Sequence, residues 1–219
     1  MIGESVIEPT FDWDSMAHRT EETSAAIDAD SALMLRFKRG EAQAFELLFS
    51  RHLRGIVNFA YRFVRNREVA EELAQEVFLR VYEASAGYRP EAKFTSWIYR
   101  IATNVCLNEI RKPRFRALHQ SLDADPADQL EKCAEGARND EPDKLLHVEA
   151  ISRILREALD EVPEKQRVAF ILNKYQELSY AEVAEAMRIS EKAVKSLIHR
   201  AKETLAQRLK PLLPELMPQ

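Results

Sequence analysis

Between Lys93 and Lys112 the chain reads KFTSWIYRIATNVCLNEIRK. At about 100° per residue, Arg100, Asn104, Asn108 and Arg111 fall within about 60° of Trp97 on a helical wheel. Ile98, Ile101, Ala102 and Val105 take the neighbouring stripe and read as core. The preceding loop adds Tyr88, Arg89, Lys93 and Phe94. A surface that mixes rings, cations and amides suits unpaired nucleic acid. Bases stack on rings for about 1–3 kcal/mol each, while cations follow the backbone. An asparagine can hold two groups of one base edge. The competing reading makes Trp97 and Phe94 core residues beside an ordinary polar face.

A second constellation lies at LSYAEVAEAMRISEKAVKSLIHRAKETL. Ser179 with Glu182 forms a capping box that starts a short helix. RIS is a tight turn, and Ser190 caps the helix that follows. Val194, Leu197, Ile198, Ala201 and Leu205 are its core positions. Lys192, Lys195, Ser196, His199, Arg200 and Lys202 occupy the other face. A short helix, a turn and a longer basic helix fit a helix-turn-helix, whose second helix enters the major groove. An αα-hairpin with a solvated basic face is the alternative.

These groups need helices to hold them. Leu33, Met34 and Phe37 predict a short helix ending near Gly40. Phe45 to Val64 carries apolar residues at i, i+3, i+4 spacing. Val69 to Val81 predicts a third helix, and Gly87 and Pro90 punctuate the loop before the Trp97 helix. Thr95 or Ser96 is expected to cap that helix. After residues 119–147 the helical period returns, with Pro163 opening a further helix. No strand and no repeat is visible. The expected fold is all-α: two small helical domains joined by a flexible acidic linker. The expected divisions are an acidic tail (1–30), a first domain (31–118), the linker (119–147), a second domain (148–212) and a terminal tail (213–219).

Charge follows the same divisions. The 219 residues carry a net charge of −4, but unevenly. Residues 1–30 hold eight acids against one arginine, and residues 119–147 hold eight acids against three bases. By contrast, residues 31–118 carry a net +7, which points to nucleic acid. Five glycines favour helices, and two distant cysteines, Cys106 and Cys133, make no disulfide framework. No apolar run is long enough to span a membrane. The N-terminus lacks the pattern of a signal peptide, so a cytoplasmic location and no membrane insertion are expected. No phosphate-binding glycine loop, nucleophile elbow or zinc-type cluster is present. His119, Cys133 and His147 are too widely spaced for a convincing metal site. The expectation is therefore a non-enzyme without cofactor or metal.

Together, GEAQAFELLFSRH, AEELAQEVFLRVYE, FTSWIYRIATNVCLNEIRK and the helix-turn-helix stretch resemble the sigma-70 family of bacterial RNA polymerase sigma factors. The likeness is to its extracytoplasmic-function (ECF) group. The resemblance implies transcription initiation from a dedicated set of promoters. It implies that region 2 binds the clamp of core RNA polymerase through the helix holding Glu71, Glu72, Gln75, Glu76 and Phe78. It implies that Tyr88, Arg89, Lys93, Phe94, Trp97, Arg100, Asn104, Asn108 and Arg111 bind the −10 element and help melt it. Region 4 would contact the polymerase flap and read the −35 element through Lys192, Lys195, Ser196, His199 and Arg200. The linker would thread channels that later hold RNA. An anti-sigma factor, often membrane-bound in this family, is implied as a partner. Ala193 and Leu197 stand where relatives often carry Thr and Arg, and Lys93 where a small residue is common, so the promoter sequence does not carry over. The other functional class is a stand-alone helix-turn-helix regulator of duplex DNA.

Overall fold

The computed structural model describes residues 27–113, 154–155 and 157–210. All regular structure among these residues is helical. The acidic linker, the terminal tails, His119, Cys133 and His147 lie outside the described residues, apart from the junction at Ile27–Asp30.

The N-terminal unit contains α1 (Ala29–Lys38), α2 (Ala42–Val64), α3 (Arg67–Glu83) and α4 (Phe94–Arg111). Asp28 caps α1 by accepting from the amides of Asp30 and Ser31, so α1 starts within the last two residues of the stretch read as a tail. Gly40, at φ +99, turns the chain into α2, a conformation natural only to glycine. Arg65 ends α2 in the left-handed region and Asn66 caps α3 through the Val69 amide at 2.9 Å. The VRNRE break is therefore a C-cap followed directly by an N-cap.

The apolar stripes predicted from spacing meet in one core. Leu48, Ile56 and Phe59 of α2, Val77 and Val81 of α3, and Phe94, Ile98 and Cys106 of α4 are fully or almost fully buried. Each such side chain contributes about 1.5–3 kcal/mol by leaving water. Truncating Phe94 to alanine would cost about 3–5 kcal/mol through the cavity it leaves. Cys106 is a core thiol, and burial pushes its pKa up.

The C-terminal unit contains a helical stretch at 157–161, then α5 (Glu164–Lys174), α6 (Tyr180–Met187) and α7 (Glu191–Leu209). Ala158, Leu159, Val162, Phe170, Ala201 and Leu205 make a small core of their own. The other face of this unit is continuous with the N-terminal core. Val168, Ile171, Leu172, Val183 and Ile198 belong to the same cluster as Phe59 and Ile98.

The sequence predicted two helical units but gave no sign that they share a core. At the seam the Tyr99 hydroxyl donates to Gln176 Oε1 at 2.5 Å. The Arg62 guanidinium lies 3.8 Å from the Tyr175 ring centroid. Arg65 pairs with Asp160. Gly55 makes room for the seam: a Cβ there would sit 2.9 Å from Tyr99 Oη.

Candidate nucleic-acid interface

α4 begins at Phe94 without a capping side chain of its own. The expected cap by Thr95 or Ser96 is not formed. Instead Asp28, distant in sequence, accepts the Phe94 amide at 3.2 Å. Its carboxylate also takes the Ser31 hydroxyl at 2.5 Å, and Ser31 Oγ lies 2.9 Å from the Tyr88 hydroxyl. Burial alone would raise the Asp28 pKa. The donors from Ser31, Phe94 and Asp30 outweigh it and hold the carboxyl below its ordinary value. One half-buried carboxylate thus ties α1, the Tyr88 loop and the start of α4 together.

Tyr88 and Phe94 are buried. Their rings form a floor for the half-buried Trp97, with centroids 4.9 and 5.7 Å from it. His52 closes the far side of Phe94 at 5.2 Å. Trp97 borders a cleft of about 530 Å³ whose walls include Tyr88, Arg89, Ser96, Arg100 and Glu185. Ser96 Oγ is buried with no hydrogen-bond partner in the protein. A polar atom in that state costs free energy unless a bound group or water satisfies it.

Asn104, Asn108 and Arg111 continue from Trp97 along exposed positions of α4, with Arg100 half-buried. Arg89 and Lys93 are exposed at the loop. The predicted stripe is therefore real, but its rings divide. Trp97 is presented, whereas Tyr88 and Phe94 support it from beneath. Two of the cations are paired with the C-terminal unit. Lys93 pairs with Glu182 at 2.9 Å, and Arg111 makes two hydrogen bonds to Glu164, at 2.5 and 3.2 Å. Burial and the nearby Arg188 lower the Arg100 pKa, against Glu185 and Glu91, which raise it.

The helix-turn-helix forms as predicted. Ser179 Oγ receives the Glu182 amide at 3.2 Å, and Glu182 receives the Ser179 amide at 2.8 Å, completing the capping box. Arg188, left-handed at φ 55, makes the turn. Ser190 accepts the Ala193 amide at 3.2 Å and starts α7. Val194, Ile198, Ala201 and Leu205 are buried, and Ala184 is buried on α6. Lys192, Lys195, Ser196, His199 and Arg200 all project into solvent. Lys195 Nζ sits 5.8 Å from the Tyr180 ring centroid, and His199 approaches Glu203 at 3.4 Å.

On α3, Glu71, Glu72 and Gln75 are exposed, and Glu76 is half-buried and paired with Arg80 at 2.5 Å. Phe78 is a core ring, 4.7 Å from Phe49. The apolar groups this face does present are Leu79 and Tyr82, both more than half exposed, with Leu47 of α2 also exposed. The sequence reading missed them. Their signal was available: 72, 75, 79 and 82 follow helical spacing and share one face. The acids opposite α4 were also missed. Only tertiary packing brings them there, so no local pattern reveals them.

One helical unit carries an aromatic and cationic cleft and the other a helix-turn-helix, two features suited to nucleic acid. Comparison with known proteins narrows the class. The family model of sigma-70 region 2 matches residues 48–116, and that of sigma-70 region 4 matches residues 152–205. The RNA polymerase sigma-H factor of Pseudomonas aeruginosa is 30% identical over 188 residues, covering 86% of this chain and 97% of the relative. The ECF RNA polymerase sigma-E factor of Escherichia coli K12 is 29% identical over 184 residues, covering 84% and 96%. Among solved structures, CnrH in complex with the cytosolic domain of CnrY has a TM-score of 0.61 at 22% identity, covering 84% of this chain and 99% of that one. The sigma factor RpoE of Bartonella quintana, solved with the anti-sigma factor NepR, has a TM-score of 0.55 at 21% identity, covering 76% and 96%. These structures share the fold. The chain belongs to the sigma-70 family, as an ECF-type RNA polymerase sigma factor. Such proteins are transcription initiation factors and not enzymes.

Proposed function

We propose that the chain directs core RNA polymerase to promoters by reading duplex DNA with α7 and unpaired DNA with the α4 cleft. The observation that carries this is the cleft itself. Trp97 stands on a floor of buried rings, Ser96 is among the residues of the wall, and Arg89 and Arg100 flank it. Extracting a base from a duplex costs a few kcal/mol. Stacking on Trp97, with hydrogen bonds from Asn104, is of that size. Lys93, Asn108 and Arg111 extend the surface along the strand, while Tyr88 and Phe94 keep Trp97 in place.

On α7, Lys192, Lys195, Ser196, His199 and Arg200 meet bases and phosphates of the −35 element. On α3, Glu71, Glu72, Gln75 and Glu76, joined by Leu79 and Tyr82, meet the polymerase clamp. An exposed apolar pair rimmed by charge is a common anchor of protein interfaces. The chain works in the cytoplasm, where polymerase is. No helix among the described residues is long and apolar enough to cross a membrane. An anti-sigma factor is its expected inhibitor, as in the solved complex of the Bartonella protein with NepR.

Reconstituted transcription tests this reading. The full chain and bacterial core polymerase are run on a promoter library, with core alone as control. Initiation that depends on the chain, at sites sharing −35 and −10 elements, is the expected result and yields the promoter sequence. Duplex binding without initiation would make the chain a stand-alone regulator.

A further inference from the structure

α1 (Ala29–Lys38) precedes the residues matched by the region 2 model, 48–116, yet it is fastened to the Trp97 cleft at two points. Ser31 Oγ lies 2.9 Å from the Tyr88 hydroxyl, and Lys38 Nζ donates to the Tyr88 carbonyl at 2.9 Å. Positions 31 and 38 are about two helical turns apart and so share one face. Ser31 is fully buried, which fixes that face against the loop, while Lys38 is exposed. An ammonium has donors to spare after one hydrogen bond. Among the described residues Lys38 pairs with no carboxylate. Its neighbours differ: Arg36 pairs with Glu41, and Arg39 acts electrostatically on the same acid.

The cleft has need of such a cation. Its own lining sets Arg89 and Arg100 against Glu83, Glu91 and Glu185, a net negative rim around a site for an anionic strand. We propose that Lys38 of α1 is a phosphate-binding residue of the single-strand surface, beside Arg89 at the Tyr88 edge of the cleft. The inference rests on the reading of α4 as a DNA surface. A lysine ammonium meets a phosphate as a point charge, with no demand for a fixed fork geometry. The Tyr88 carbonyl holds the ammonium in place before the strand arrives, so less side-chain freedom is lost on binding. Trp97 takes a base and Lys38 the backbone nearby, the combination of ring and cation that unpaired DNA requires. Lys38 also lies in the last turn of α1, where a cation complements the helix dipole. That role involves no DNA, and the dependence of binding on salt separates the two.

The test measures binding of a mixed-sequence single-stranded 12-mer of DNA across a range of salt. The full chain is assembled with core polymerase, and core alone supplies the background. Each phosphate contact on single-stranded DNA contributes about 0.7 to the slope of log affinity against log salt. Lys38→Met keeps the stem and loses the charge. It should weaken binding and flatten the slope by about 0.7. Lys38→Arg should keep the wild-type slope. Arg39→Met, which removes an exposed cation one residue away, should keep it as well. An unchanged slope for Lys38→Met would overturn the proposal even if binding weakened, because a residue that only steadies α1 or the Tyr88 loop releases no counterions. Equal flattening by Arg39→Met would also overturn it, since the effect would then be one of net charge and not of a contact. Trp97→Ala tests the underlying reading by itself. It removes stacking and no charge, so it should weaken 12-mer binding and leave the slope intact. A 12-mer bound equally well without Trp97 would overturn the reading of α4, and this proposal with it. Weaker binding by Trp97→Ala beside an unchanged slope in Lys38→Met would overturn this proposal alone.

Discussion

Trp97 and the residues around it show how far single side chains could be read from sequence. Spacing alone placed Trp97, Asn104 and Asn108 on one face, because a helix fixes angular positions. It could not say which rings were presented. Tyr88 and Phe94 precede the helix or open it, and their burial depends on α1 and on His52. For Asn104→Ala we expect open-complex yield to drop about tenfold, the loss of one amide pair on a base at about 1–3 kcal/mol. Polymerase binding should stay normal. Equal yields on a −10-dependent template would remove Asn104 from the site. Lys195→Ala should weaken −35-dependent binding and lower the salt slope by about one phosphate equivalent. An unchanged slope would assign Lys195 to a base or to no contact.

At the scale of elements, the helix-turn-helix was the most legible part, because its start signals are local. Ser179, Glu182 and Ser190 sit within a few residues of the amides they bind. α4 was the least legible at its start, since its cap is supplied by Asp28. The capping box carries a pH signature. Burial would raise the Glu182 pKa, but Lys93 and the Ser179 groups dominate and hold it below the ordinary value of 4.5. A depressed carboxyl stabilises the fold above its ordinary value and loses that contribution as pH falls below it. Circular dichroism should therefore show wild type losing its advantage over Glu182→Gln on acidification below about pH 4.5. A gap that does not narrow on acidification would refute the assignment. On α3, replacing both Leu79 and Tyr82 by serine should weaken polymerase pull-down at least tenfold. The fold should persist, because both side chains are mostly exposed. Full retention of binding would move the anchor elsewhere.

For the whole molecule, the central fact is that two units read as separate share one core. Composition and periodicity reveal each unit's own apolar face but not which faces meet. Val168 and Ile171 look the same in sequence whether they pack within their unit or across the seam. The shared core predicts a single cooperative urea transition in the free chain, seen alike by helical signal and by tryptophan fluorescence. Arg62→Ala with Gln176→Ala removes a cation–π contact of about 0.5–2 kcal/mol and a hydrogen bond of about 0.5–1.5 kcal/mol. It should separate the two units into distinct transitions. Two transitions in the wild-type chain would contradict the shared core. The long-range cap at Asp28 has a consequence of another kind. The position before a helix normally goes to a short polar or acidic residue, and a lysine there opposes the helix dipole. Because an acid from the far end of the unit satisfies the Phe94 amide, position 93 is released from that duty. A cation can stand at the start of α4, where helix formation alone would not have put one.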